Sequence, residues 1–395
     1  MAIANLVIVA IIVICAGWQY LKGKAVKAFA TVVNTVCAGF VAFAYFEPLA
    51  GLLLGRGDRL APVVPWAQLI TFAVLFVVGF AVLQTVASQI IRKPAALPDA
   101  ADRIARSICG ILLGLELAGL LLTALAMAPL PDKYPYPRFQ SANPNPEQPQ
   151  KPLFSPDGFA TGWFGAVSTG TFSAKKSFGV FHPDFVDQAF LNRHKASDGI
   201  PIVTAENAIE LPQRRQDPNN VAAWDAPDEL KTTEGNAVPA KSGHSLVILR
   251  LGLRRTNIKE AGIFTPSQLR LICKQKGLDE EPLAGSAVNV YPLGYIQAQD
   301  TVKLTRLSER ITVSYTDFED RSPVRYIDFA FYVPTGYVPV LVEFKQNSIA
   351  EVPSLAPAEK APPAIPFAPE VEKPKPPSQP KKSPRRPGRT SRPGK

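Results

Sequence analysis

Cysteine and histidine are scarce: four and three residues among 395. Cys15, Cys37 and Cys109 sit inside apolar runs at no metal-ligand spacing, where a free thiol behaves as a small hydrophobe. Cys273 stands alone in the polar part of the chain, so no disulfide can form within that part. His182, His194 and His244 are scattered, without the paired carboxylates or cysteines that a metal set needs. No phosphate-binding loop or dinucleotide fingerprint occurs. No metal and no cofactor is therefore expected. Charge is missing too, but only locally: residues 4–21, 26–54, 66–91 and 104–128 are almost free of it.

Those four runs are rich in Ala, Val, Leu, Ile and Phe, and each reaches the length of about 20 residues that crosses a bilayer as a helix. The first is not expected to be a cleaved leader, because its positive charges come after the apolar run instead of preceding it. The connections differ in charge. The first carries Lys22, Lys24 and Lys27 and the third Arg92, Lys93, Arg103 and Arg106, against Arg56 and Arg59 in the second. By the positive-inside rule the first and third face the cytoplasm. The expected location is thus the bacterial cytoplasmic (inner) membrane, multi-pass, with the C-terminal region outside the cytoplasm.

From Pro129 the chain turns polar and proline-punctuated. Residues 132–152 hold a proline about every third position, which suggests a semi-rigid polyproline spacer lifting the C-terminal region off the membrane. Residues 153–240 read as short helices, opened by "SPDGF" and "HPDF", and loops. Residues 241–350 contain short β-branched and aromatic runs, among them "SLVILRLGLRR", "SQLRLICKQKG", "VRYIDFAFYVP" and "VPVLVEFKQ", with "YVPTGYVPV" as a hairpin turn between the last two. An antiparallel sandwich accounts for this spacing. Residues 351–395 read as a disordered basic tail. The fold expected is therefore an all-α polytopic membrane module of four transmembrane helices over 1–131, joined to a mainly-β, sandwich-like soluble domain.

The first 131 residues resemble the CvpA (colicin V production) family of bacterial membrane proteins. The likeness lies in the four-helix arrangement, in "GWQYLKG" after the first run, and in "ADRIARSICGILLG", where Asp102, Arg103, Gly110 and Gly114 match the family pattern. Asn5 stands where many members have Asp, Lys27 where an acid is expected, Arg106 replaces one glycine, and Leu113 replaces an arginine. The resemblance implies a multi-pass membrane protein associated with toxin production or export and envelope homeostasis.

Gly110, Gly114 and Ala118 form a small-residue stripe that lets two membrane helices approach closely, within the bundle or between copies in a homo-oligomer. Glu116 lies two residues on, about 200° round the helix from Gly114, with Asn34 and Gln84 as candidate polar partners in neighbouring spans. An acid at that depth reads either as part of a proton or ion path or as a protonated, hydrogen-bonded structural group. Asp102 suits the first turn of its own helix, and Arg106 is placed to reach lipid phosphates, with Lys22, Lys24, Lys27 and Arg103 at the same cytoplasmic edge.

Some relatives of this module carry a chymotrypsin-like protease, yet the soluble region lacks a Gly-Asp-Ser-Gly stretch, and "SGHSLV" misses the last glycine of a nucleophile elbow. No enzyme is expected. Net charge is +10, of which residues 372–395 supply +8, so basicity belongs to the tail and not to a nucleic-acid-binding surface. The expected partners are the lipid bilayer, an envelope protein or anionic envelope polymer, and a second copy, with nucleic acid disfavoured. Two functions fit: a non-enzymatic envelope component whose outer domain binds a partner, or a small oligomeric transporter or channel subunit using Glu116.

Overall fold

Four long apolar helices open the chain in the computed structural model, which describes residues 1–54, 62–92, 98–169, 177–212, 221–277, 285–319 and 322–368. They are α1 (Ala2–Lys22), α2 (Ala25–Leu54), α3 (Ala67–Ile90) and α4 (Asp99–Ala126), each long and apolar enough to cross a membrane. Helix α4 packs between α1 and α2, and α2 packs in turn on α3, so the bundle reads α1–α4–α2–α3. Exposed Leu6, Val13, Ile14, Val77 and Val82 on the flanking helices α1 and α3 suit a lipid solvent. Pro48 lies inside α2 and cannot donate to its helix. Nearby, Thr71 Oγ1 of α3 donates to the Phe46 carbonyl at 3.1 Å, a polar stitch between the two spans.

The segment after α4 does not stand away from the bundle. Tyr136, Arg138 and Phe139 are buried, and Tyr136 and Phe139 pack with Ala4 and Ile8 of α1 and Ala118 and Leu122 of α4. The Leu153 N–H donates to Asn5 Oδ1 of α1 at 3.0 Å. The spacer expected over 132–152 is thus corrected: proline keeps the segment extended, but its aromatics and arginine anchor it. Three short helices come next, α5 (Pro156–Thr169), α6 (Phe178–Phe181) and α7 (Phe185–Asn192).

The remainder is a sandwich. The larger sheet has the order β1–β4–β11–β8–β9–β3, with β2 also on β4: β1 (Ile209–Glu210), β2 (Ala223–Asp225), β3 (Lys231–Thr232), β4 (His244–Arg254), β8 (Pro292–Ala298), β9 (Thr301–Leu304) and β11 (Val324–Pro334). The smaller has the order β13–β12–β6–β7: β6 (Leu269–Gln275), β7 (Ala287–Val290), β12 (Tyr337–Phe344) and β13 (Ser348–Glu351). Strands β5 (Ile263–Phe264) and β10 (Ile311–Thr312) form a separate pair. All pairings are antiparallel except β3 with β9. Leu249, Leu251, Leu271, Cys273, Phe329, Phe331, Val342 and Phe344 fill the space between the sheets. Cys273 is one of these core hydrophobes, and burial pushes its thiol pKa up.

Three expectations change here. "YVPTGYVPV" does turn, at Gly336 with φ 88°, but β11 pairs with β4 and β8 while β12 pairs with β6 and β13. The turn passes the chain from one sheet to the other, and its Thr335 N–H donates to Gly243 and not across a hairpin. The sandwich begins before residue 241, because β1, β2 and β3 come from the stretch expected to be loop. It also continues past residue 350. Phe367 is buried against Tyr295, Ile365 N–H donates to Asp328, and Ala356 bridges to Trp224. Residues 351–368 therefore pack on the sandwich, and 369–395, with the basic stretch, lie outside the described residues.

Candidate functional site

At the end of the bundle away from the sandwich, Asp102 and Arg106 hold the turn between α1 and α2. Asp102 Oδ1 accepts from the Ala25 N–H at 2.9 Å, capping α2 and not its own helix. Arg106 donates to the carbonyls of Tyr20 and Gly23, both at 2.9 Å, and pairs with Asp102 at 3.0 Å. A carboxylate at one helix start and a guanidinium at another helix end complement both dipoles. Arg106 is thus a capping residue, which corrects its expected reach to lipid phosphates. Lys22, Lys24, Lys27 and Arg103 are arrayed around this clamp at the same end of the bundle. Arg56, Arg59 and Lys93 lie outside the described residues.

Gly110, Gly114 and Ala118 face α1. A Cβ on Gly110 would lie 2.6 Å from Ala16 Cα, and one on Gly114 2.6 Å from Ile12 Cα, so the seam closes to backbone contact. Glu116 is 3% exposed and turned away from this seam; Leu120, one turn on, packs with Phe43 and Phe46 of α2. Its Oε1 has no hydrogen-bond partner among the described residues. Asn34 and Gln84 do not supply one, because Asn34 Nδ2 donates to Gln84 Oε1 at 2.9 Å, joining α2 to α3. Height explains the miss. With Asp102 level with Ala25, Glu116 lies about 21 Å along the bundle and Asn34 only about 14 Å at 1.5 Å per residue.

The opposite end carries most of the buried charge. Arg193 of the α7 terminus donates to the Leu125 and Ala128 carbonyls at 3.1 and 3.4 Å, and to Tyr134, closing the end of α4 as Arg106 closes α1. Burial pushes its pKa down to about 10, so it stays charged at neutral pH. Arg138 lies between Asp157 of α5 and Asp187 of α7, with Tyr136 donating to Asp157. Burial raises the Asp187 pKa above its ordinary value despite the adjacent guanidinium.

A second polar chain crosses from helix to sheet. His182 Nε2 is 2.9 Å from Glu47 of α2, and its Nδ1 meets Gln188 Oε1 at 2.7 Å. Gln188 donates to Glu343 of β12 at 3.4 Å, and Glu343 pairs with Arg270 of β6. Arg270 further donates to the Phe181 carbonyl at 2.8 Å and to Asn289 at 2.6 Å. The chain thereby couples a membrane helix to both central strands of the smaller sheet. No local sequence signal marks these residues. Alternation in "LRLICKQ" puts Arg270 and Lys274 on one strand face, which reads as solvated; α6 and Val180 cover it instead.

Between these two clusters opens a cleft of about 860 Å³. Gly158, Thr161, Gly165 and Ala166 of α5 form a small-residue floor, Lys151, Asp184 and Asp187 supply charge, and Ser286 and Ala287 at β7 close one side. Small side chains let a backbone approach closely, and charges of both signs fix its register. The remaining histidines serve structure: His194 bridges Asp132 at 3.5 Å and the Ser141 carbonyl at 3.1 Å, and His244 meets the Ser242 carbonyl at 2.9 Å. Among the described residues no group of His, Cys, Asp and Glu is arranged to hold a metal ion.

Residues 4–142 match the family model described as Colicin V production protein. Over these residues the chain is similar to that family, and the matched stretch runs on through Tyr136, Arg138 and Phe139, the anchors beyond α4. Comparison with curated proteins and with solved structures gives no match.

Proposed function

We propose, from the premise of a CvpA-type module, that the protein is a non-enzymatic component of the cytoplasmic membrane and envelope. Its bundle carries the sandwich outside the cytoplasm, and the cleft beside α5 holds a segment of an envelope protein. The family label is colicin V production, and a role in toxin production or export is the reading carried over to this chain. The observation that supports a scaffold most is the Glu47–His182–Gln188–Glu343–Arg270 chain, which ties the sandwich to the half-exposed Glu47 of α2 through buried His182, Gln188, Glu343 and Arg270. Buried networks of this kind cost desolvation and are retained where a fixed geometry matters. The lysines and arginines around the Asp102–Arg106 clamp support this orientation through the positive-inside rule.

The test uses the full chain in intact cells. A Glu234→Cys variant, at an exposed turn of the sandwich, is expected to react with an impermeant thiol reagent without permeabilisation. A photo-crosslinker at Thr161 is expected to join one envelope polypeptide that a crosslinker at exposed Tyr315 does not. Labelling only after permeabilisation, or identical adducts from both positions, contradicts the proposal.

One observation favours a second reading. Glu116 is buried at mid-span with an unpartnered oxygen, and an intramembrane acid serves ion or proton paths in many proteins. Flux in proteoliposomes that disappears in Glu116→Gln supports a transporter or channel subunit. Equal flux, or none, in both chains removes it.

A further inference from the structure

Helix α5 leaves the polar junction and crosses the bundle obliquely from α4 toward α2. Its inner face is Pro156, Ala160 and Phe164, all buried and one turn apart. Two glycines of the membrane spans make room for it. A Cβ on Gly119 of α4 would lie 2.2 Å from the Pro156 carbonyl oxygen, and a Cβ on Gly39 of α2 would lie 2.3 Å from Phe164 Cζ. The Phe164 ring then packs on Phe40 and Phe43 with centroids 4.7 and 4.5 Å apart.

The register of the spans gives the depth. Gly119 lies seven residues before the end of α4, about 10 Å along its axis. Gly39 is near the middle of the 30-residue α2 and eight residues, about 12 Å, below Glu47, the level of the polar network. Phe164 thus meets α2 about 12 Å below that network, within an apolar stretch long enough to span a core about 30 Å thick. The composition of α5 agrees with that position. Asp157 is its one charged residue, fully buried and met by Arg138 and Tyr136, and none occurs from Gly158 to Thr169. Its helical backbone satisfies the central polar groups internally, and at its far end Ser177 Oγ donates to the Ser168 carbonyl at 2.8 Å, as entry into lipid requires.

One face remains uncovered. Phe159 and Trp163, four residues apart, are 43% and 51% exposed, and Phe154 just before the helix is 65% exposed. In water such an apolar strip is costly; beside the lipid-facing surface of the spans it is continuous with side chains that already contact acyl chains. We infer that α5 is a re-entrant helix, entering the bilayer from the sandwich side and turning Phe159 and Trp163 to the acyl chains of that leaflet. The sandwich is therefore held to the membrane by a fifth lipid-contacting element as well as by the four spans.

Tryptophan fluorescence tests this with the full chain in vesicles of phosphatidylcholine brominated along the acyl chains. The emission lost on Trp163→Phe reports Trp163 alone among the four tryptophans. That component is expected to be quenched several-fold by the brominated lipid and little by aqueous acrylamide. A Phe159→Trp change in the Trp163→Phe chain is expected to restore a component with the same behaviour, which guards against a local rearrangement at residue 163. Components quenched by acrylamide and insensitive to brominated lipid overturn the inference.

Discussion

His182 and Glu47 meet at 2.9 Å across the boundary between the soluble domain and the second membrane helix. The pair closes one end of a polar chain whose other end, Arg270 with Glu343, is buried in the smaller sheet. Bundle and sandwich are joined through side chains drawn from α2, from the end of α6, from α7 and from the two central strands of the smaller sheet.

Arg270 and Glu343 are 3% and 2% exposed, so neither charge has water to fall back on. Glu343→Gln is expected to destabilise the folded chain by about 3–5 kcal/mol, because it leaves a buried guanidinium without its counter-charge. Arg270→Met with Glu343→Leu is expected to recover much of that loss. Thermal unfolding in detergent compares the three.

The glycine notches differ in what lies opposite. At Gly119 the neighbour is the Pro156 backbone, which cannot rotate away, whereas at Gly39 it is the end of the Phe164 ring. Gly119→Ala is expected to cost about 1–3 kcal/mol from overpacking, unrelieved by Phe164→Ala. Gly39→Ala is expected to be relieved in part by that second change. A four-variant unfolding series reads both.

Lys345 is fully buried beside Phe344 and donates to the Glu260 carbonyl and, at 2.7 Å, to the Ile263 carbonyl. Two N–H donors suffice for this, so the neutral amine satisfies the site. Burial pushes its pKa from 10.5 down to about 7. Between those values the unfolded chain binds a proton that the folded chain does not, so stability rises as pH increases from about 7 toward 10.5. Denaturant midpoints across that range are expected to climb in the wild type and to flatten in Lys345→Met.

Much of this architecture was legible in the chain. Four uncharged runs separated by basic turns have the length and composition of spans, and the β-branched runs after Ser245 are strands in the sandwich. The features that escaped depended on tertiary cover. Tyr136, Arg138 and Phe139 lie in a proline-rich run whose periodicity says "extended" and says nothing of what the aromatics touch. Arg270 sits on a strand face that alternation assigns to water until α6 covers it. Phe367 belongs to a stretch too poor in apolar residues to fold alone, and it is held by a sandwich already formed. Asp102 was legible as a first-turn acid of its own helix, but the N–H it accepts from belongs to Ala25, 77 positions away in sequence.

Asp102→Ala removes that cap and the Arg106 pairing together. A loss of about 1 kcal/mol is expected, with Asp102→Asn retaining most of the stability because its amide oxygen still accepts from Ala25. Hydrogen exchange localised to the α1–α2 turn is expected to rise in the alanine variant and to stay near wild type in the asparagine variant.

The coupling of bundle to sandwich is tested most directly by a double-mutant cycle on Glu47→Gln and Glu343→Gln, read by thermal unfolding of the full chain. Members of one hydrogen-bonded network interact by roughly 0.5–3 kcal/mol, whereas independent sites add to within about 0.3–0.5 kcal/mol. An interaction energy of about 1 kcal/mol is expected, of either sign. Strict additivity would contradict a network running from Glu47 through His182 into the sheet.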